Sequence, residues 1–157
     1  MKQLRWWMRI IGVVYLLLFV GMSIIQAPPE AYLSALGVTP DPQGATFRLL
    51  VNTWMALGLE IGVVGVALLV ASREPARHTL LVWLVLGMEL LRGIVADIFW
   101  YLDGVITVGP LIFWLVFHGV IIAWGYFALR QSQQTSKAAT ENESASYSGR
   151  VAQKSAS

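Results

Sequence analysis

The apolar positions of this chain gather into four long blocks. They run from about Trp6 to Ile25, Leu49 to Ala71, Thr79 to Tyr101 and Pro110 to Leu129. Each block holds roughly 20 residues, and at about 1.5 Å rise per residue that spans a hydrocarbon core of about 30 Å. In lipid, every backbone amide must be satisfied within its own segment, so the blocks are predicted to be helices. The strands of a membrane barrel would be about half as long and would alternate strictly, and that alternation is missing. Lys2, Arg5 and Arg9 precede the first block, as they would in a signal peptide. Its apolar run is longer than a signal core, however, and Pro28 and Pro29 follow without a small-x-small cleavage site. The block is predicted to remain as a signal anchor.

The polar positions between the blocks set the orientation. Lys2, Arg5 and Arg9 precede the first block, Arg73 and Arg77 separate the second from the third, and Arg130 and Lys137 follow the fourth. The other two connections carry Arg48 as their single basic residue, together with Glu30, Asp41 and Asp103. The positive-inside rule then places both termini in the cytoplasm. Trp6, Trp7, Trp54, Trp100 and Trp124, with Tyr101 and Tyr126, lie towards block ends as interfacial belts. In the long connection from Gln26 to Phe47, Pro28-Pro29-Glu30 before residues 31–36 and Gly37 after them are boundary signals for a short outer-face helix. Residues 39–44 read as turns, and Ser72 to His78 as a tight hairpin. Residues 131–157 are rich in Ser, Ala, Gln and Thr without apolar periodicity, and are expected to form a disordered cytoplasmic tail. Residues 1–130 form the transmembrane domain.

Composition sharpens this picture. The chain has 157 residues, 57% of them hydrophobic and 13% charged, where a soluble domain carries about 25% charged residues. No cysteine is present, which excludes disulfides, thiolate metal sites, iron–sulfur clusters and cysteine nucleophiles. The net charge of +2 resides in loops and tail without a dense basic tract, so nucleic acid is not an expected partner. The two halves show no repeat, which speaks against an inverted-repeat transporter.

The chemistry-bearing residues are those that do not belong in a bilayer: Glu60, Glu89, Arg92, Asp97 and His118. A charge at the bilayer centre costs about 2.5 to 3.5 kcal/mol on insertion scales, so the fold must pair or neutralise these groups. Counted from the outer end of each block, Glu60 lies 11 residues in, Glu89 12, Arg92 9 and His118 8. All four therefore fall within about 6 Å of one another in depth, near the midplane. Asn52 and Asp97 form a shallower layer. Glu89 and Arg92, spaced i, i+3, share a face of an α-helix. Gly58, Gly62 and Gly65 lie mostly opposite Glu60 and permit close approach of the first helix or of a second subunit.

Two readings compete for this cluster. One is a structural polar core in which Arg92 bridges Glu60 and Glu89 while His118 donates a hydrogen bond. The other is a site for a ligand or a proton. A metal site is disfavoured by a single histidine beside an arginine. Arg73, Glu74, Arg77 and His78 read as solvated topology signals, and the tryptophans as anchors. No phosphate loop, catalytic serine arrangement or nucleotide fingerprint is present, and neither a catalytic residue nor a cofactor is expected.

The stretches Asn52 to Glu60, Leu69 to His78 and Met88 to Asp97, with the opening Arg5 to Tyr15, resemble the BphX-like family. The resemblance covers roughly residues 5–127, and more distantly the layout looks like DoxX-type four-helix membrane proteins. It implies a bacterial inner-membrane protein associated with aromatic-compound degradation gene clusters, without implying a reaction. It also implies a further acid beside Asp97; this chain has Ala96, which argues against a two-acid site there.

The expectation is an all-α, antiparallel four-helix membrane bundle. Its leading function is that of a binding or accessory protein for small apolar or aromatic compounds, with Arg92 and His118 as polar anchors for an aromatic acid or phenol. The alternatives are a proton-coupled permease or channel component, with Glu60 and Glu89 as proton carriers, and a membrane oxidoreductase partner. The lipid bilayer and a second copy of the chain complete the expected partners.

Overall fold

The structure, a computed structural model, describes residues 1–24 and 44–155. The surface helix expected over 31–36 and the turns over 39–43 lie outside the described residues. Every described secondary-structure element is helical. Helix α1 (Lys2–Phe19) continues into a π-helical turn (Val20–Ile24), and α2 covers Ala45–Ala71. A 3-10 turn (Pro75–His78) with proline in its first turn leads into α3 (Thr79–Met88). A second π-helical segment (Glu89–Val95) then joins α3 to α4 (Ala96–Leu102) without a break, making one span. Gly104, at φ 71°, supplies the left-handed turn that reverses the chain before α5 (Val108–Ser155).

Four spans, Lys2–Ile24, Phe47–Ala71, Pro75–Leu102 and Val108–Thr135, are each long and apolar enough to cross a membrane, as in a multi-pass membrane protein. The surface agrees with that reading. Leu17, Val63, Leu80 and Leu91 stand at least 66% exposed on the outside of the bundle, an arrangement unfavourable in water and suited to lipid. The predicted blocks match these spans to within a few residues, but the tail differs. Disorder is expected beyond Arg130, whereas α5 continues to Ser155. From Tyr126 to Ser148 the sequence contains neither proline nor glycine, although it is rich in Ser as well as Ala and Gln. A helix already nucleated by the span can propagate through such residues without a second nucleation cost.

Close backbone approaches define the packing. A Cβ at Gly65 would sit 2.9 Å from the carbonyl oxygen of Gly12, and one at Gly12 would sit 3.0 Å from that of Gly65. Along the same seam Gly62 faces Phe19, and Gly58 faces Met22 and Ser23. Rising numbers in α1 meet falling numbers in α2, so the two helices are antiparallel. The expected glycine stripe therefore seats the first helix. The last two spans are antiparallel in the same way, with Gly93 against His118 and Gly125 against Leu86. The two pairs join through α1 and α5, where the Trp7 indole N–H donates to the Ile121 carbonyl at 3.1 Å.

The close-packed core lies at the end of the bundle that carries the N-terminus and the Ser72–His78 hairpin. Leu4, Trp7, Met8, Leu68, Val82 and Leu129 are fully or almost fully buried there. Towards the other end a cavity opens among the spans.

Candidate functional site

The cavity has a volume of about 530 Å³ and is lined by all four spans. Aromatic and aliphatic side chains form most of its wall, including Trp54 from α2, Trp100 from α4, and Trp114 and Phe117 from α5. Trp114 stacks on the His118 ring with centroids 5.9 Å apart, and Phe117 meets that ring edge-on at 5.5 Å. A few polar groups interrupt this wall. Tyr15, Glu89, Arg92, Asp97 and His118 all reach the lining.

These groups form a chain. The Tyr15 hydroxyl donates to Glu89 Oε1, and His118 Nδ1 contacts Glu89 Oε2. Both oxygens of Glu89 are thereby engaged, and the residue is only 5% exposed. An ionised Glu89 accepts only, so the proton of the imidazole is assigned to Nδ1. In the neutral ring this turns the Nε2 lone pair towards Asp97, whose Oδ2 lies 3.6 Å away. That separation is too long for a hydrogen bond. Asp97 Oδ2 is fully buried and makes no hydrogen bond with any described residue.

Arg92 lies apart from this chain. Its Nη1 is 2.9 Å from Glu60 Oε1 in a half-exposed ion pair, out of alignment for a hydrogen bond. This corrects the expectation that Arg92 bridges Glu60 and Glu89. The cause is the π-helical segment beginning at Glu89. Its i→i+5 bonding widens the turn, so the i, i+3 pair Glu89 and Arg92 no longer faces one way. Glu89 turns to Tyr15 and His118, and Arg92 turns to α2.

Four of the six candidate residues therefore line the cavity: Glu89, Arg92, Asp97 and His118. Glu60 reaches it only through Arg92. Asn52 stands exposed on α2 and does not line the cavity. Asp97, in the first turn of α4, lies at the His118 end of the chain.

Gly93 makes this geometry possible. A Cβ there would stand 2.5 to 2.7 Å from three atoms of the His118 ring, so only glycine lets the imidazole lie flat against the third span. Tyr15 was not singled out from sequence. Its signal was available: a phenol at the middle of an otherwise apolar block, far from either interfacial belt, needs a buried partner. Trp54 and Trp100, expected as interfacial anchors, take part in the cavity wall. Among the described residues, no group of three or more His, Asp or Glu side chains is arranged to hold a metal ion.

Comparison with known proteins places this architecture. The family model described as BphX-like matches residues 1–134, which reaches all four spans and omits only the last residue of the fourth. Two relatives, an uncharacterized BphX-like protein of Burkholderia cepacia and another of Paraburkholderia xenovorans strain LB400, are each 27% identical over 136 residues. Each alignment covers 83% of this chain and 93% of the relative. No solved structure matches the chain.

Proposed function

The chain belongs to the BphX-like family, and we propose that it acts as a multi-pass inner-membrane protein that binds a small, largely apolar ligand carrying an aromatic ring. Both termini lie in the cytoplasm on this reading. The observation that carries the proposal is the cavity: about 530 Å³, walled largely by tryptophan, phenylalanine and aliphatic side chains, with Glu89, Asp97 and His118 among its few polar groups. Ligand pockets fall in the range of about 300 to 1,000 Å³, and a dry apolar cavity of about 150 Å³ already accepts benzene. One or two rings fit such a space, with a single polar substituent directed at the Glu89–His118–Asp97 side. The close-packed core on the cytoplasmic side would make the site a blind pocket reached from the outer leaflet or the periplasm.

The test is a thermal-shift panel on the purified protein in detergent. It would contain neutral aromatics, phenols, aromatic acids and aromatic amines of one or two rings. A ligand at 100 times its Kd should stabilise the fold by about 2.7 kcal/mol, and it should quench tryptophan emission with the same midpoint. If no aromatic compound shifts the transition while Leu57→Trp, which fills the cavity, leaves stability unchanged, the cavity is not a binding site.

A second reading, a proton-coupled permease, draws support from the linked Tyr15–Glu89–His118 chain. It requires a path through the buried layer around Trp7, Met8 and Leu86. Substrate-dependent proton movement in liposomes would favour the permease, and stabilisation without flux would favour the binding protein.

A further inference from the structure

The polar groups of the cavity are unbalanced in a specific way. Arg92 has its charge matched by Glu60 at 2.9 Å, and that pair closes on itself. What remains at the cavity wall is Glu89, Asp97 and His118. With both acids ionised, they carry two uncompensated negative charges beside a neutral imidazole and one beside a protonated imidazole. In either state the site lacks positive charge.

Two buried atoms among the described residues lack a hydrogen bond: Arg92 Nη1, a donor already 2.9 Å from Glu60 Oε1, and Asp97 Oδ2, an acceptor. Glu89 is satisfied by the Tyr15 hydroxyl and by His118 Nδ1. Asp97 is 5% exposed, and its Oδ2 is buried without a hydrogen bond. Opposite it, at 3.6 Å, is His118 Nε2, an acceptor in the tautomer that Glu89 selects. Two acceptors 3.6 Å apart leave no room for a heavy atom between them, so a donor serving both must approach from the side. A buried acceptor without a donor is costly, so this is a place where an occupant is worth most.

From these two deficits we infer that the ligand is a lipophilic organic cation, a protonated primary or secondary amine bearing an aromatic ring, and that Asp97 is the residue that receives its N–H. An ammonium group supplies the missing charge and two donors, one for Asp97 Oδ2 and one for His118 Nε2. The wall suits the rest of the molecule. Trp100 and Trp114 line the cavity beside Asp97 and His118, and indole faces attract cations as well as rings. An aromatic acid, the ligand expected from sequence with Arg92 as its anchor, would bring a third carboxylate beside Glu89 and Asp97 while Arg92 is held by Glu60. This inference rests on the cavity being a ligand site, as proposed above.

The experiment compares four probes that share one ring and one chain length: 2-phenylethylamine, 2-phenylethanol, ethylbenzene and 3-phenylpropanoate. Affinities are read from tryptophan quenching on the full-length protein in detergent at pH 7, and repeated on Asp97→Asn. The amine is expected to bind at least tenfold more tightly than the alcohol, and the acid most weakly. Asp97→Asn should reduce amine affinity tenfold or more and leave the alcohol within threefold. If the acid or the alcohol binds more tightly than the amine, the inference is overturned while the cavity reading stands. If none of the four binds, the cavity reading itself fails. An amine preference that survives Asp97→Asn overturns the role of Asp97. Should Asp97→Asn not fold, Asp97→Glu replaces it, with amine preference over alcohol expected to persist and its loss counting against the assignment; the ranking on the parent protein still decides the ligand's charge.

Discussion

Replacing Gly93 by alanine should disable the polar chain without touching any of its members. The added methyl carbon would stand 2.5, 2.6 and 2.7 Å from Nδ1, Cγ and Cε1 of His118, distances no carbon contact tolerates. Either the third span or the imidazole must move. Overpacking of this kind costs about 1 to 3 kcal/mol. Displacing the ring also takes His118 Nδ1 away from Glu89 Oε2, and a buried acceptor left short of a partner costs about 1 to 3 kcal/mol more. Against this stands the lower chain entropy of alanine, about 0.5 to 1 kcal/mol in its favour. The net expectation is a loss of about 1 to 5 kcal/mol, centred near 3. The assay is a double-mutant cycle on unfolding in detergent. In the His118→Ala background the three atoms nearest the methyl group are gone, so Gly93→Ala should cost much less there. An equal loss in both backgrounds would refute the reasoning, because the clash would then lie elsewhere. So would a parent protein that accepts Gly93→Ala without loss.

Three further outcomes are expected. Tyr15→Phe removes the donor to Glu89 Oε1 and should destabilise the protein by about 1 to 3 kcal/mol; no change in the unfolding midpoint would mean that the hydroxyl is not engaged. Arg92→Gln and Glu60→Gln should each be destabilising and should recover at least half of the loss when combined, whereas Arg92→Gln with Glu89→Gln should be additive, since pairing follows the observed partners; the reverse pattern would restore Arg92 as the partner of Glu89. In this naturally cysteine-free chain, cysteines at Glu74 and Asp103 should label from the cytoplasmic and periplasmic sides of inverted and intact vesicles respectively, and labelling of both from one side would reject the antiparallel membrane topology.

The family assignment and the coarse architecture were legible in one dimension for a physical reason. A bilayer demands about 20 consecutive apolar residues per helix, and loop charges such as Arg73 and Arg77 against Asp103 record which side each connection occupies. Those demands act on local sequence, so the spans and the exceptional residues Glu89, Arg92, Asp97 and His118 stood out without any knowledge of packing. The Gly58–Gly62–Gly65 stripe was readable in the same way, since a row of missing side chains marks a seam.

Which of the buried polar groups meet was decided only in three dimensions. Counting residues along ideal α-helices put Glu89 beside Arg92, but the π-helical segment from Glu89 to Val95 changes the angle between successive side chains. No local pattern in that apolar stretch announces the change. It follows from how the third span must seat against α5, with Gly93 under His118. The same is true of Tyr15, whose partner lies 74 residues away, and of the unpaired Asp97 oxygen. Sequence could say that charges occur near the midplane, because each residue carries its own insertion cost. Only tertiary packing could say which charge remains without a partner, because satisfaction is a property of pairs.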